Sequence, residues 1–206
     1  MRADQKGASS ISEDSFYAHP TAVVESDAIG EGTKIWHFAH VRRGAKIGKN
    51  CNIGKSVYID IDAVIGDGVK VQNFVSVYKG VTIEDGVFVG PSATFTNDLY
   101  PRAFIWDEGH VSPTRICRGA SIGANATIVC GIIVGEYAMI GAGAVVAGDV
   151  PPFALMLGNP ARLRGYVCYC GRRAKRAAVD GKAIYICESC GKEIEIGEDE
   201  YDIRDD

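Results

Sequence analysis

Four cysteines near the end of the chain have the spacing of a metal site. They form the two pairs C-x-C-G and C-x2-C-G, which contain Cys168, Cys170, Cys187 and Cys190. The glycine after each pair lets the backbone turn tightly under a metal. Two such turns predict a small zinc ribbon with a structural Zn²⁺, since four thiolates leave no open coordination position. A disulfide pair and an iron ion are the alternatives.

Histidines and the remaining cysteines are the other groups that could act on a bond. The candidate general bases for a hydroxyl acceptor are His37 and His40, because histidine most often removes a proton from a hydroxyl. A thiol nucleophile at Cys117 or Cys130 is a weaker alternative, because neither has an identifiable histidine partner.

A repeat of six residues must position these groups. Steps of six land on Ile or Val at every position from Val23 to Val89, on Phe95, and then on Ile or Val again from Ile116 to Val146. This period fits neither a helix nor a single amphipathic strand, but it fits short β-branched strands separated by corners. Three strands would close one coil, and coils would stack as parallel strands about 4.8 Å apart. The sequence predicts an all-β solenoid.

Glycine often follows the inward residue of the repeat. We expect these glycines to supply corner backbone angles that other residues avoid. They are Gly30, Gly48, Gly54, Gly66, Gly90, Gly123, Gly135 and Gly141.

Polar residues interrupt the repeat along adjoining corners. Because three steps of six make one coil, His37 stacks between His19 and Lys55, and one further coil leads to Asn73. Such columns predict a groove that holds a polar, charged ligand. The substrate-binding candidates in it are His40, Gln72, Asn73, Tyr78 and Lys79.

The repeat breaks once. The spacing of 21 residues between Phe95 and Ile116 exceeds one step of six by 15 residues, so a loop protrudes at about 97–115. Loops of this length are usually functional or disordered. Its aromatic residues suggest contact with a ligand or a neighbouring subunit.

Composition narrows the class of protein. The 206 residues are 47% hydrophobic and 23% charged, as in a globular protein with a core. A net charge of −4 argues against a general nucleic-acid or anionic-membrane binder. No apolar run could span a bilayer, and residues 1–15 lack a signal-peptide stretch. We expect a flexible leader over residues 1–15, a cytoplasmic location, no nucleic-acid partner and no membrane insertion.

Three segments resemble the nucleotide-sugar 3-N-acetyltransferases that act in the synthesis of surface polysaccharides, such as the O-antigen of lipopolysaccharide. They are KIWHFAHV (34–41), VQNFVSVYKGVTIEDGVFVGPSATFTNDLYPRA (71–103) and the Gly/Ala-rich stretch from RGASIG to GNPAR (118–162). The most similar type acetylates the 3-amino group of UDP-2-acetamido-3-amino-2,3-dideoxy-glucuronate, which we take as the favoured substrate. Related members act on dTDP-linked 3-amino-3,6-dideoxyhexoses. Asp98 and Tyr100 differ from the residues of the UDP-uronate enzymes, which leaves the sugar open.

The resemblance implies a left-handed parallel β-helix, a homotrimer, and acetyl-CoA in a groove between two subunits. It also implies the roles of particular residues. Asn97 would hold the sugar amine, with Asp98 and His37 as the other catalytic candidates, and Tyr100 and Arg102 would contact the sugar or nucleotide. The expected acetyl-CoA neighbours are Gly123, Ala124, Ala142 and Gly143 for the pantetheine arm and Asn159 and Arg162 for the phosphate end.

Amine and hydroxyl acceptors place different demands on the site. A deprotonated sugar amine is a good nucleophile and needs positioning, an oxyanion donor and a proton acceptor, whereas a hydroxyl needs a general base. The FTND segment favours the amine. O-acetylation, a non-enzymatic scaffold and a three-histidine zinc enzyme of the carbonic anhydrase type are the alternatives, and the four histidines lack the ligand spacing for the last. We expect a β-helix acyltransferase domain over 16–165 and a zinc-ribbon-like tail over 166–206.

Overall fold

A computed structural model describes residues 15–105, 107–179 and 182–197. The expected leader therefore lies outside the described residues, except for Ser15. Short strands follow one another along the chain. They are β1 (Tyr17–Ala18), β2 (Val23–Val24), β3 (Lys34–Ile35), β4 (His40–Val41), β5 (Lys46–Ile47), β6 (Asn52–Ile53), β7 (Tyr58–Ile59), β8 (Val64–Ile65), β9 (Lys70–Val71), β10 (Ser76–Val77), β11 (Val81–Ile83), β12 (Phe88–Val89), β13 (Thr94–Phe95), β14 (Thr114–Ile116), β15 (Ser121–Ile122), β16 (Thr127–Ile128), β17 (Ile133–Val134), β18 (Met139–Ile140), β19 (Val145–Val146), β20 (Ala154–Leu157), β21 (Arg162–Val167), β22 (Arg173–Val179), β23 (Lys182–Ile186) and β24 (Glu193–Ile196).

The strands form three sheets that the chain visits in turn. The first sheet has the order β1-β3-β6-β9-β12-β15-β18-β20-β21-β22-β23-β24, the second β19-β16-β13-β10-β7-β4-β2, and the third β17-β14-β11-β8-β5. Strands in neighbouring coils pair in parallel, with Lys34 opposite Asn52 and His40 opposite Tyr58. The predicted parallel β-solenoid is confirmed. No helix in the described ranges is long and apolar enough to cross a membrane.

The core is a set of aliphatic ladders inside the coils. The residues at steps of six are buried from Ile35 onward, and so are the small residues four positions after each of them, such as Ala39 and Cys51. Burying one Ile or Val contributes about 1.5–3 kcal/mol relative to leaving it exposed. Three polar residues are buried among the described ones: Ser26, Thr33 and Thr114. The hydroxyl of Thr33 donates to Gly48 O (2.8 Å) and accepts from Cys51 N (3.0 Å).

The glycines that directly follow the inward residues do not have the special backbone angles expected from the sequence. The left-handed backbone conformation falls three positions after the inward residue, as at Phe38 (φ 58°) and Phe74 (φ 62°), and not on the glycine that directly follows it. That glycine lies against the next coil: a Cβ on Gly90 would come within 2.6 Å of Ala124 N. The expectation of special backbone angles is therefore wrong for these glycines, which are required because neighbouring coils approach too closely for a side chain.

The inserted loop leaves and re-enters the solenoid at one corner. It joins β13 of the second sheet to β14 of the third, and β14 resumes the register with Ile116 opposite Ile83. A 3₁₀ helix covers Glu108–His110 within it. The insertion therefore leaves the stacking of the coils unchanged.

The tail extends the first sheet beyond the last coil. β20 pairs in parallel with β18, and β21 then turns back antiparallel on β20. β22, β23 and β24 continue the antiparallel order. The boundary expected at residue 165 falls inside β21 (Arg162–Val167), so the tail grows directly out of the solenoid sheet.

Candidate active site

Two corners of the solenoid carry the polar columns. We call the connection from the first to the second sheet the first corner, and the connection from the second to the third sheet the second corner. His37, Asn73, Gly123 and Ala142 lie along the first corner, whereas Lys79 and the inserted loop lie along the second. The second sheet separates the two columns.

At the first corner, the column predicted from the spacing is present. The rings of His19 and His37 stack with centroids 3.5 Å apart. Burial, together with the neighbouring His37, lowers the pKa of His19. One coil further on, the N–H of Lys55 donates to Asn73 Oδ1 at 2.8 Å. The side chain of Asn73 thus caps a backbone donor of the neighbouring coil.

At the second corner, Asp98 organises the base of the inserted loop. Its Oδ1 accepts from Tyr100 N at 2.7 Å, and its Oδ2 lies 3.9 Å from His110 Nδ1. The Asp98 side chain is only 13% exposed. The backbone of Asn97 closes the loop by accepting from Ser112 N at 2.9 Å. The structure therefore joins a carboxylate and an imidazole beside Asn97.

His110 is the residue that the sequence analysis missed. The general bases considered from the sequence are His37 and His40, because both interrupt the repeat, whereas His110 lies 12 residues after Asp98 in a loop without periodicity. No sequence signal links His110 to Asp98. The pairing arises because the loop returns to the corner from which it leaves.

The side chain of Asn97 is available for a ligand. Within the described residues, its amide makes no hydrogen bond, although the residue is half-buried. A half-buried amide offers two donors and an acceptor that a polar ligand can satisfy. This availability is compatible with the role expected for Asn97.

The outer part of the loop is exposed. Tyr100 is 81% and Phe104 is 83% accessible to solvent. Arg102 bonds only locally, with Nη1 donating to Pro101 O at 3.0 Å. Trp106 lies outside the described residues. Within this chain, Tyr100 and Arg102 therefore stand on an open apolar surface rather than in an enclosed pocket.

His40 belongs to a polar network on the outer face of the second sheet. Its Nε2 is shielded from solvent and lies 3.5 Å from Glu25 Oε1 without hydrogen-bond geometry. Beside it, Arg42 Nη1 donates to the Tyr58 hydroxyl (3.0 Å), which donates to Asp60 Oδ1 (2.9 Å). Burial raises the pKa of Tyr58, and the bond to Asp60 adds to this effect against that of Arg42.

The network includes residues that the repeat could have revealed. Asp60 and Arg42 precede Tyr78 by one and two coils in the same column. The Oδ2 of Asp60 also accepts from Lys79 N at 3.3 Å. Lys79 is thus connected to a charged network that reaches Glu25 through Arg42, 3.4 Å away. The ring of Tyr78 lies beside the network, with its centroid 6.0 Å from that of Tyr58.

The expected acetyl-CoA neighbours lie on the last coils. Gly123 and Ala124 follow β15, and Ala142 and Gly143 follow β18, at the first corner. Among the described residues, no acceptor contacts the N–H of Ala124 or of Ala142. These two N–H groups occupy the same corner position on neighbouring coils as the N–H of Lys55, which the side chain of Asn73 caps.

The turn after β20 covers the end of the second sheet. Val145 N donates to Gly158 O (3.0 Å), and Ala161 N donates to Val145 O (2.8 Å). Asn159 lies in this turn and Arg162 begins β21. The turn therefore occupies the position of a further strand beside β19, next to the first-corner donors.

The three catalytic candidates do not meet within one chain. His37 lies at the first corner and Asn97 at the second, and their coils are three steps apart in the first sheet. That separation is about 14 Å along the axis alone. Asn97 and Asp98 are brought together with His110, and not with His37. The acetyl-CoA candidates likewise lie across the second sheet from Asn97.

The four tail cysteines form a separate cluster. Their sulfur atoms all lie within 4.8 Å of one another, and all four thiols are free. The cluster lies beyond the last coil, at the end of the extended first sheet.

A solenoid built from six-residue steps, with polar columns along its corners, defines the class of hexapeptide-repeat transferases. The family model "Bacterial transferase hexapeptide (six repeats)" matches residues 28–60, 62–97 and 113–148. The chain belongs to this family.

Individual proteins similar to this chain include sugar and other acetyltransferases. The chain is 46% identical over 183 residues to the dTDP-3-amino-3,6-dideoxy-alpha-D-galactopyranose 3-N-acetyltransferase of Aneurinibacillus thermoaerophilus, covering 89% of this chain and 92% of that one. It also resembles a hexapeptide-repeat acetyltransferase of Vibrio cholerae O1 biovar eltor solved with acetyl coenzyme A, at 26% identity and a TM-score of 0.53, over 61% of this chain and 72% of that one.

A third likeness shows the fold alone. The acetyltransferase domain of PglB from Neisseria gonorrhoeae FA1090 matches at 23% identity with a TM-score of 0.53, over 73% of this chain and 58% of that one. The family match and the 46% identical relative confirm the prediction of an acetyltransferase of the hexapeptide class.

Proposed function

We propose that the protein transfers the acetyl group of acetyl-CoA to the 3-amino group of a dTDP-linked 3-amino-3,6-dideoxyhexose. The observation that carries this proposal is the 46% identity to a 3-N-acetyltransferase of that substrate class, along nearly the whole of both chains. The UDP-3-amino-glucuronate acceptor favoured by the sequence analysis has less support. Asp98 and Tyr100, which differ from the residues of the UDP-uronate enzymes, agree with this change of acceptor.

The donor side of the reaction rests on the first corner. A relative of the same fold was solved with acetyl coenzyme A, and the last coils of this chain offer two N–H groups, at Ala124 and Ala142, that have no acceptor among the described residues. Backbone donors of this kind suit the amide oxygens of a pantetheine arm or the oxyanion of a tetrahedral intermediate. The guanidinium of Arg162, beside the turn that covers β19, supplies a positive charge for phosphate.

The acceptor side rests on the second corner. The Asn97 amide holds the sugar amine, and the Asp98–His110 pair accepts its proton. The neutral amine attacks the thioester carbonyl, the tetrahedral intermediate collapses, and the CoA thiolate leaves. The amine nitrogen loses one proton and the thiolate gains one, so the products are an amide and free CoA. Positioning supplies most of the acceleration, because the thiolate is a good leaving group.

A second copy of the chain completes the site. Asn97 and the donors at Ala124 and Ala142 lie on opposite edges of the second sheet, so one chain does not present both to the same substrates. Packing the second corner of one copy against the first corner of another brings the two halves together. We therefore propose the homotrimer implied by the resemblance, with one site in each groove. Light scattering that gives the mass of a single chain would contradict it.

The chemical class of the product tests the function. Purified protein with acetyl-CoA and dTDP-3-amino-3,6-dideoxygalactose should give a product heavier by one acetyl group, which nuclear magnetic resonance places on the nitrogen at carbon 3. Acetylation of the matched 3-hydroxy sugar at a comparable rate would support O-acetylation instead. That result would also favour His37 or His40 as the general base that deprotonates the hydroxyl.

A further inference from the structure

The tail cysteines have the geometry of a tetrahedral metal site. The Sγ atoms of Cys168 and Cys190 are 3.5 Å apart, and those of Cys170 and Cys187 are 3.6 Å apart. With Zn–S bonds of about 2.3 Å, sulfur atoms at the corners of a tetrahedron lie about 3.8 Å apart. All four sulfurs are within 4.8 Å of one another. They therefore surround a space of the size of one metal ion.

The two cysteine turns have matching backbone structure. In the first turn, Cys168 N donates to Arg172 O and Gly171 N donates to Cys168 O. In the second, Cys187 N donates to Lys192 O and Gly191 N donates to Cys187 O. Both glycines have positive φ, 78° and 71°. The two turns differ in length by one residue, yet equivalent hydrogen bonds close them and they bring their four thiols together.

The donor set selects the metal and its role. Four sulfur ligands favour zinc over magnesium or calcium, and they leave no open position for catalysis. A disulfide requires sulfurs about 2.05 Å apart, whereas the sulfurs of Cys168 and Cys190 are 3.5 Å apart and all four cysteines are free. The tail buries few apolar side chains in the described ranges, chiefly Tyr166, Tyr185, Ile194 and Ile196. A bound metal would compensate for this small core.

The first turn is also the contact between the tail and the solenoid. Tyr169, between the first two cysteines, packs edge-on against Tyr137 and Phe153, with ring centroids 4.7 Å and 4.9 Å apart. Lys192, from the second turn, lies 5.3 Å from the centre of the Tyr169 ring. Tyr169 thus connects both cysteine turns to the last coil.

We propose that Cys168, Cys170, Cys187 and Cys190 bind one structural Zn²⁺, and that this metal holds Tyr169 against the last coil. The metal thereby fixes the hairpin of β20 and β21, which carries Asn159 and Arg162. This inference does not depend on the substrate or on the acetyl transfer proposed above.

Metal content tests the site directly. The protein, expressed as the whole chain and purified without added metal, should contain about one Zn²⁺ per chain by inductively coupled plasma mass spectrometry. The Cys117→Ser control should keep it, because Cys117 lies on the solenoid, and the double variant Cys187→Ser with Cys190→Ser should lose it. Iron in place of zinc, disulfides detected by intact mass, or equal zinc in the double variant would overturn the proposal.

Cobalt binding keeps the proposal testable if the double variant fails to fold. Metal-depleted wild-type protein titrated with Co²⁺ should develop the intense thiolate-to-cobalt absorption of a four-sulfur tetrahedral site, saturating at about one equivalent. It should then lose this absorption when Zn²⁺ is added. No thiolate-to-cobalt absorption would contradict the proposed ligands.

Hydrogen exchange tests the connection to the solenoid. In wild-type protein, chelation of zinc should speed amide exchange in β22–β24 of the tail and also in the hairpin of β20 and β21. In Tyr169→Ala, the hairpin should exchange fast whether or not zinc is bound, while zinc content stays near one. The exposed Phe104→Ala variant is the matched control. Unchanged hairpin exchange on zinc removal from the wild type would contradict the coupling.

Discussion

Asn97 is half-buried at the base of the inserted loop, and we propose that its side chain binds the sugar amine. Its amide makes no hydrogen bond within the described chain, while its backbone oxygen closes the loop. We expect Asn97→Ala to lower kcat at least about 100-fold, because a misplaced nucleophile costs that much, with little change in acetyl-CoA affinity or melting temperature. Calorimetric acetyl-CoA binding and steady-state kinetics check this. Normal turnover would remove Asn97 from the mechanism.

The Asp98–His110 pair was not visible in the sequence, and it makes a distinct prediction. Loss of a positioned proton acceptor costs about 10²- to 10⁴-fold in rate, so His110→Gln should be slow at neutral pH. The deficit should shrink as pH rises, because more of the amine is then neutral before it attacks and solvent base can take the proton that the intermediate loses. His19→Gln, which changes a histidine at the other corner, is the control. A pH-independent deficit would indicate a structural role for His110.

A proline substitution can remove the backbone N–H that we propose as an acetyl-CoA donor at Ala142. Pro91 occupies the corner position equivalent to Ala124 and Ala142, so this turn accepts proline. Ala142→Pro deletes only the N–H, and one lost hydrogen bond of about 0.5–1.5 kcal/mol should weaken acetyl-CoA binding roughly 2- to 10-fold. The melting temperature should hold. Ala142→Ser keeps the donor and should bind normally; equal weakening in both variants would locate the effect in the side chain.

At the scale of the elements, the six-residue period was sufficient to predict the strands, the core and the position of the insertion. This succeeded because one inward Ile or Val per strand is a local property that repeats along the chain. The hand of the coil could not be obtained this way, since both hands have the same period, and it stays a prediction from the resemblance. The role of the corner glycines was misassigned because contact between coils is invisible in a single corner.

Three glycine variants separate close packing from backbone angle. Gly90→Ala introduces a Cβ within 2.6 Å of Ala124 N, and we expect it to cost about 1–3 kcal/mol, as other overpacked sites do. Gly86→Ala meets open space but has φ +67°, so about 1–2 kcal/mol is expected from strain alone. Gly148→Ala has neither problem and is the control. Thermal unfolding gives the order, and a neutral Gly90→Ala would refute the packing explanation.

At the scale of the whole molecule, the parts of the candidate site are separated. The sequence placed His37 with Asn97 and Asp98 because family motifs carry no information on which corner each residue occupies. The chain instead gathers Asn97, Asp98 and His110 at one edge of the second sheet and the free donors at the other. The Asp98–His110 contact depends on how an aperiodic loop returns to its corner, which no local pattern encodes. The homotrimer proposed above would bring these two edges together, each from a different copy of the chain.

Release of the CoA thiol shows directly which acceptor the enzyme uses. The protein is given acetyl-CoA with each of three sugars: dTDP-3-amino-3,6-dideoxygalactose, its 3-hydroxy counterpart, and UDP-2-acetamido-3-amino-2,3-dideoxy-glucuronate. We expect rapid thiol release with the first sugar and release near background with the other two. Faster release with the UDP sugar or with the hydroxy sugar would contradict it.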